Sequence, residues 1–525
     1  MHLPADAALA QLSLDHLQHV VAIDSQSDEL SPTIPTTPGQ VRLADAVAEF
    51  HAALGATVER DDAANVIAVY PPRGRGVGKA PVALLVHLDT ARGTQAVPSL
   101  HVLPAWDGRR IPFPRNPTIC VDAPTYPAMA AFLGHDLVHG PGDFPFGLDD
   151  KLGLAHCMTV ARVLAESPEI DRPPLLFVGR PDEEVGRHEA VLGLADLFAR
   201  RGVRWAFTVD GILPYEINLE NFNAAMASVT FPAGPPRPLA GAPFIAQIGG
   251  VNTHGATAAA EGHRGAPRLA AEWLAALDPQ DAVIVDFASD ALRDCDARVR
   301  LRVAPGAEPR VRAALAAVMD PHLRRGASWS LAPADPADLP AEGAAAEAML
   351  RFVHRFLSSR PGFVLTAEDS AGHEGYTQPM RARPQDGALR LDVRIRDFDP
   401  AALERRIDHL RAEAGDLPVA VVHQYINMGP RLAAHPGLAE AAERAAHAVG
   451  VAARRLPIRG GTGVDPFLDR DIPVANLGTG YFAPESEKEL TSLQLMAGHA
   501  RWLLALVADL AAHGPPAHGP GTPAA

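Results

Sequence analysis

Apolar runs of strand length stand at Pro81 to Val86, Pro174 to Val178, Trp205 to Val209 and Ile472 to Leu477. Between them lie stretches with helical periodicity, including Leu152 to Leu164, Ala190 to Arg200 and His435 to Val449. Strands alternating with helices at both ends of the chain predict an α/β fold, a doubly wound sheet covered on both faces. The pattern changes in the middle, where the strands are shorter and alternating. Two Pro/Ala/Gly-rich stretches, 232–243 and 331–348, read there as linkers or surface loops. Residues 225–426 are therefore expected to form a domain inserted into one made of 1–224 and 427–511, with 512–525 as a disordered tail. Within the insert, Val299 to Arg302 followed by a helical stretch resembles Val393 to Arg396 followed by another, the mark of an internal repeat.

Charge narrows the function classes. The 525 residues carry 47 basic and 62 acidic side chains, a formal net charge of −15, which disfavours nucleic acid or an acidic membrane as the main partner. Cys120, Cys157 and Cys295 are too few and too scattered for a disulfide framework, which points to a reducing, cytoplasmic setting. The N-terminus lacks the basic region of a signal peptide, and no apolar run approaches the ~18 residues that span a bilayer. Lysine occurs only at 79, 151 and 488, so arginine dominates by composition and no single arginine is informative alone.

Candidate chemistry gathers at the carboxyl ends of the predicted strands, where open α/β sheets bind ligands. His87 and Asp89 end one strand, Asp149 and Asp150 precede a helix, Glu183 and Glu184 follow another strand, and Asp210 ends WAFTVD. Several carboxylates in one crevice repel each other, and divalent cations remove that cost. A His/Asp/Glu set without cysteine suits zinc, with manganese or cobalt as alternatives, and two metals sharing a carboxylate would use this many ligands. His-x-Asp spacing on a strand puts both side chains on one face, so Asp89 can orient the His87 ring. In the Glu183–Glu184 pair one carboxylate can ligate while the other takes a proton from water. The glycine-rich Gly74 to Lys79 lacks the Ser/Thr and the following helix of a phosphate loop and reads as a turn.

These residues stand in recognisable company. VHLDTA (86–91), FGLDDKLGLA (146–155), PDEEVGRHEA (181–190), TVDG (208–211), ENFNAA (220–225), GGVNTH (249–254), VRIRDFD (393–399), QYINM (424–428) and PIRGGTG (457–463) resemble, in order and spacing, the peptidase T-like aminopeptidases of the M20 dinuclear metallopeptidases. IDSQSDELSPTIPTTPGQ (23–40) is similar to that family's N-terminal segment. The resemblance implies a zinc-exopeptidase-like sheet with an inserted ferredoxin-like lid or dimerisation domain. It implies Asp149 bridging two metals, His87 and Asp210 completing one site, and Glu184 in the other. Glu183 would be general base and acid, Asp89 would orient His87, and His254 would help polarise the scissile carbonyl. Arg396 and Arg459 would face the substrate carboxylate.

The chain departs from the family in two places. Glu485, in YFAPESEKEL, stands where the family's last metal ligand is a histidine, making the second ligand set all carboxylate. The family's GGTDG is GGTGVD here, moving the aspartate to Asp465. The expected function is removal of the N-terminal residue from short peptides, with a dipeptidase, an N-acyl-amino-acid amidohydrolase or a catalytically silent binding homologue as alternatives. The expected assembly is a homodimer or a monomer with a doubled lid.

Overall fold

The computed structural model describes residues 3–234, 238–289, 293, 295–339, 344–359, 373 and 375–517. The chain forms two compact units, one from Met1–Asn116, Asp122–Asn221 and Asn427–Ala525, the other from Pro117–Val121 and Phe222–Ile426. The short stretch Pro117–Val121, which composition gives no reason to separate from its surroundings, goes with the second unit.

The first unit is a mixed sheet with helices on both faces. Its strands lie in the order Thr57–Arg60, Val66–Tyr70, Leu175–Arg180, Val82–His87, Trp205–Gly211, Val474–Gly478, Glu216–Asn218 and Arg454–Arg455. The four from Leu175–Arg180 to Val474–Gly478 run parallel, so their carboxyl ends share one edge. Along Val82–His87 the side chains alternate between two cores. Val82, Leu84 and Val86 pack with helices Asp6–Val21, Leu148–Glu166, Gly437–Ala448 and Leu493–His513, while Ala83 and Leu85 pack with helix Glu189–Arg201. Burial on both sides explains why these strands read as unbroken apolar runs.

Two expectations need correction at the carboxyl end. Helix Leu493–His513 is long and apolar enough to cross a membrane, which the sequence reading missed because no unbroken apolar run marks it. Its apolar character has another use here, since 72% of that stretch is buried inside the protein. The expected tail also begins later. The helix continues to His513, and the chain then pairs with the turn before Val82, Ala80 N–H donating to Pro515 (2.9 Å) and Ala517 N–H to Gly78 (3.0 Å). Residues 518–525 lie outside the described residues.

The second unit holds two β-α-β-β-α-β modules, one nested in the other. The inner module has strands Ala242–Gly249, Ala282–Ser289, Asp296–Val303 and Ser328–Pro333, with helices Ala266–Ala276 and Glu308–Met319. The outer has strands Asn223–Phe231, Tyr376–Gln385, Ala388–Asp397 and Val419–Tyr425, with helices Ala344–Ser359 and Pro400–Ala414. Numbered within its module, each sheet has the order 2-3-1-4, the ferredoxin-like arrangement. The two arginine-bearing repeats occupy the third strand of each module. The two Pro/Ala/Gly-rich stretches fall where the chain enters and leaves the inner one. The second strands approach each other, Ala382 N–H donating to Ser289 Oγ (2.8 Å), and the helical sides share one core.

Histidines buried in the first unit couple its stability to pH. His51 is stacked on Phe177, its Nδ1 lies 2.9 Å from the Tyr70 hydroxyl, and burial pushes its pKa down to about 4. The unfolded chain binds this proton near pH 6.5 and the folded chain does not until about pH 4, so the contribution is full above pH 6.5 and lost as pH falls towards 4. Replacing His51 by glutamine should therefore lower stability most at pH 7.5, with the difference from wild type shrinking towards pH 4.5. Urea unfolding of both proteins across this range checks it, and a pH-independent difference would refute it.

Candidate metal centre

Three neighbouring parallel strands deliver most of the site. His87 ends Val82–His87, Asp210 lies at the end of Trp205–Gly211, and Leu175–Arg180 runs into the turn carrying Glu183 and Glu184. Asp149 comes from the amino end of helix Leu148–Glu166, where its own backbone is non-helical (φ −84°, ψ 108°). Gly147 makes that entry possible. Its φ is +84°, and a Cβ there would fall 2.6 Å from Thr90 Cγ2.

The ligand atoms form two groups sharing Asp149. His87, Asp149 and Asp210 make one and Asp149, Glu184 and Glu485 the other, with the atoms of each group within 4.8 Å of one another. His87 Nε2 lies 2.9 Å from Asp149 Oδ1 and 3.4 Å from Asp210 Oδ1. Its Nδ1 faces Asp89, 2.9 Å from the main-chain carbonyl and 3.4 Å from the carboxylate. The Asp89 carboxylate also accepts the N–H groups of Glu183 (2.9 Å) and Glu184 (3.1 Å), tying one strand end to the next. Asp150 turns inward instead, where its carboxylate accepts the His87 N–H (3.2 Å).

The electrostatics are those of a cation site. Burial raises the Glu184 carboxyl well above its usual range, and Asp149 and Glu485 raise it further. Burial also lifts Asp210 to about 7, with Asp149 adding to the effect against the opposing pull of His87. For His87, burial opposes the charge, but Asp210, Asp149 and Asp89 raise its pKa overall. Asp89 shows the contrast: burial would raise it, yet the hydrogen bonds from His87 and Glu183 bring it down. Among the described residues, the buried Oε1 of Glu184 has no hydrogen-bond partner. An orphaned carboxylate oxygen aimed at other acids fits a divalent cation, as does a donor set of one imidazole and several oxygens.

Residues the sequence reading passed over complete the surroundings. Tyr481 donates its hydroxyl to Asp149 Oδ2 (3.1 Å). Glu489 Oε2 accepts the N–H groups of Phe146 (2.9 Å), Gly147 (2.9 Å) and Leu148 (3.3 Å), fixing the chain just before Asp149. Glu489 sits in a charged run that reads as solvated surface but is buried. Arg180 holds the 462–463 loop through the carbonyls of Thr462 (2.8 Å) and Gly463 (3.2 Å).

The remaining sequence candidates are not members of these two groups. Arg459 is half-buried in the loop before Gly460, and Asp465 opens the short helix Asp465–Leu468. His254 and Arg396 belong to the second unit. The His254 ring accepts the Ala256 N–H (3.3 Å). Arg396 donates to the carbonyls of Ala225 (3.2 Å) and Ile395 (3.0 Å) and lies 5.2 Å over the Tyr425 ring.

No family model matches the chain. Peptidase T of Bacillus cereus (strain ATCC 14579) is 31% identical over 278 residues, 52% of this chain and 61% of that protein. Peptidase T of Geobacillus thermodenitrificans is 32% identical over 225 residues, 42% of this chain and 53% of that protein. The chain thus spans between half and two thirds of the length of the curated relatives it matches, and over that part it is similar in sequence to peptidase T. The crystal structure of a tripeptidase from Staphylococcus aureus is similar in fold, with a TM-score of 0.51 at 15% identity, covering 96% of this chain and 98% of that one.

The repulsion at Glu184 gives a direct test. At pH 8, Glu184→Gln should raise the melting temperature of chelator-treated protein, because it removes one of the mutually repelling charges. The same change should shrink the stabilisation produced by added manganese or zinc. Thermal melts with and without metal read both effects, and a variant that gains as much from metal as wild type would exclude Glu184 as a ligand.

Proposed function

We propose that this chain is a metal-dependent exopeptidase that removes the N-terminal residue of short peptides. The supporting observation is the pair of ligand groups sharing Asp149, with Glu183 beside them and its N–H anchored on Asp89. Two divalent cations would be held by His87, Asp149 and Asp210, and by Asp149, Glu184 and Glu485; when bound they supply Lewis-acid polarisation of the scissile carbonyl and acidify water.

Glu183 is the proposed proton carrier. Burial raises its carboxyl above the ordinary range, against the nearby Arg180 guanidinium, 3.6 Å away. A carboxyl so placed takes the proton of the attacking water and returns it to the leaving amine, since a pKa nearer neutrality serves both steps. Following the resemblance, His254 polarises the carbonyl, while Arg396 and Arg459 receive the substrate carboxylate. Zinc suits the histidine-bearing ligand set. The all-carboxylate set built on Glu485 is harder and favours manganese or magnesium.

The doubled ferredoxin-like module supports a monomer, because one chain already contains the paired lid units that two subunits would otherwise bring together. Cys120, Cys157 and Cys295 are all buried and, among the described residues, none is in a disulfide, which supports a reducing, cytoplasmic setting.

Two measurements test this reading. Glu183→Ala should lower kcat on tripeptides by roughly 10²- to 10⁴-fold, while metal stoichiometry stays at the wild-type value. A loss below about tenfold would remove Glu183 from the proton-transfer role. Sedimentation equilibrium should give the 55.5 kDa of one chain, and a mass twice that would reject the monomer.

A further inference from the structure

One stretch of the first unit, residues 23–40, contributes no ligand yet touches the segments that carry His87, Asp149 and Glu184. Lys151, two residues after Asp149, donates to the Ile23 carbonyl (2.7 Å). Thr90, next to Asp89, donates its N–H to Ser25 (3.3 Å), and its carbonyl accepts the Ser27 N–H (3.1 Å). The densest contact is with Asp182, immediately before Glu183.

Asp182 is a non-glycine residue at φ +56°, a left-handed conformation that is unfavourable and persists only where its surroundings enforce it. Those surroundings are Thr36 and Gln40. The buried Asp182 carboxylate accepts the Thr36 N–H (2.9 and 3.1 Å to its two oxygens), the Thr36 hydroxyl (2.5 Å) and the Gln40 amide N–H (2.7 Å). In return, the Asp182 N–H donates to the Gln40 side-chain Oε1 (3.0 Å). Gln40 is fully buried, and its amide group bonds in both directions, which fixes its orientation. Thr36 Oγ1 is itself held, accepting the N–H of Asp28 (3.0 Å) and the Gln40 amide (3.0 Å). Beyond Asp182, the next two N–H groups are those taken by Asp89. The Glu183–Glu184 dipeptide is therefore clamped on its amino side through Asp182 and along its own main chain by Asp89.

We propose that Thr36 and Gln40 are positioning residues that act through Asp182 to hold Glu183 and Glu184 in place. The inference rests on the two-group reading of the metal centre. It also separates the groups, because His87, Asp149 and Asp210 do not hang from this turn whereas Glu184 does. Loss of the clamp should weaken the Asp149, Glu184, Glu485 group and displace Glu183, leaving the other group intact.

The test uses full-length protein freed of metal, with manganese titrated calorimetrically and tripeptide turnover measured at saturating manganese. Thr36→Val and Gln40→Met should each keep one manganese at wild-type affinity and weaken the other by about 10- to 100-fold, with a similar fall in kcat. Thr36→Ser, which retains the hydroxyl, should restore both to within about threefold of wild type. KM should stay close to wild type. Equal weakening of both manganese ions in the Val and Met variants would mean a general loss of structure and would overturn the proposal, as would two unchanged affinities. Wild-type protein that takes up fewer than two manganese ions would instead overturn the two-group reading beneath it.

Discussion

Repulsion among crowded carboxylates, buried and half-buried, governs this structure. Asp89, Asp149, Asp150, Glu183, Glu184, Asp210 and Glu485 lie around one edge of a sheet, with His87 among them. Burial in a low dielectric makes each charge expensive and each pair more so. The chain answers with main-chain donors for some acids and not for others. Asp89 receives two N–H groups, Asp150 one and Glu489 three. Glu184 keeps a buried oxygen with no partner among the described residues, and so does Glu489 on its other oxygen. Main-chain donors therefore meet only part of the cost of these charges, and a divalent cation would offset more of it.

The architecture follows from the same constraint. Parallel strands next to one another bring His87, Asp210 and the Glu183–Glu184 turn to one edge without long excursions, because every parallel strand ends on the same side. Burial of those strands on both faces holds their ends rigid, so that ligand positions are set by packing rather than by loops. Asp149 and the loop-borne Glu485 are the exceptions. Asp149 reaches the site from a helix entry and needs the Gly147 conformation, the Tyr481 hydroxyl and the Glu489 carboxylate to place it.

The sheet and the acids at its edge were legible because both are local signals. Apolar runs mark strands buried on two sides, and a polar residue ending such a run marks the edge. The repeat was legible for a similar reason, since the third strand of each module carries the same alternation of arginine and aliphatic residues. What stayed hidden depends on pairings across the chain. Gln40 and Asp182 are 142 positions apart, and Glu489 and Gly147 are 342 apart. In both cases a side chain meets main-chain N–H groups, which no residue type announces. Helix Leu493–His513 was hidden differently, because polar residues such as His499 interrupt its apolar run while being buried all the same.

Glu485 shows how one position resets the balance of the whole centre. Its backbone is in the left-handed region, at φ +54°, so the side chain is presented by a loop held in an unfavourable conformation rather than by chance. With glutamate there, the two candidate groups contain four carboxylates, Asp149, Glu184, Asp210 and Glu485, and the His87 imidazole. Four negative charges would match the two divalent cations proposed above, whereas a histidine at 485 would leave a net positive charge. A residual positive charge would help to draw a proton from water. Without it, more of that work would fall on Glu183 in the proposed mechanism; its carboxyl is already raised by burial, its N–H is held by Asp89, and the preceding Asp182 is bonded to Thr36 and Gln40. A glutamate at 485 and the tight anchoring of the Glu183 turn would thus serve one electrostatic arrangement.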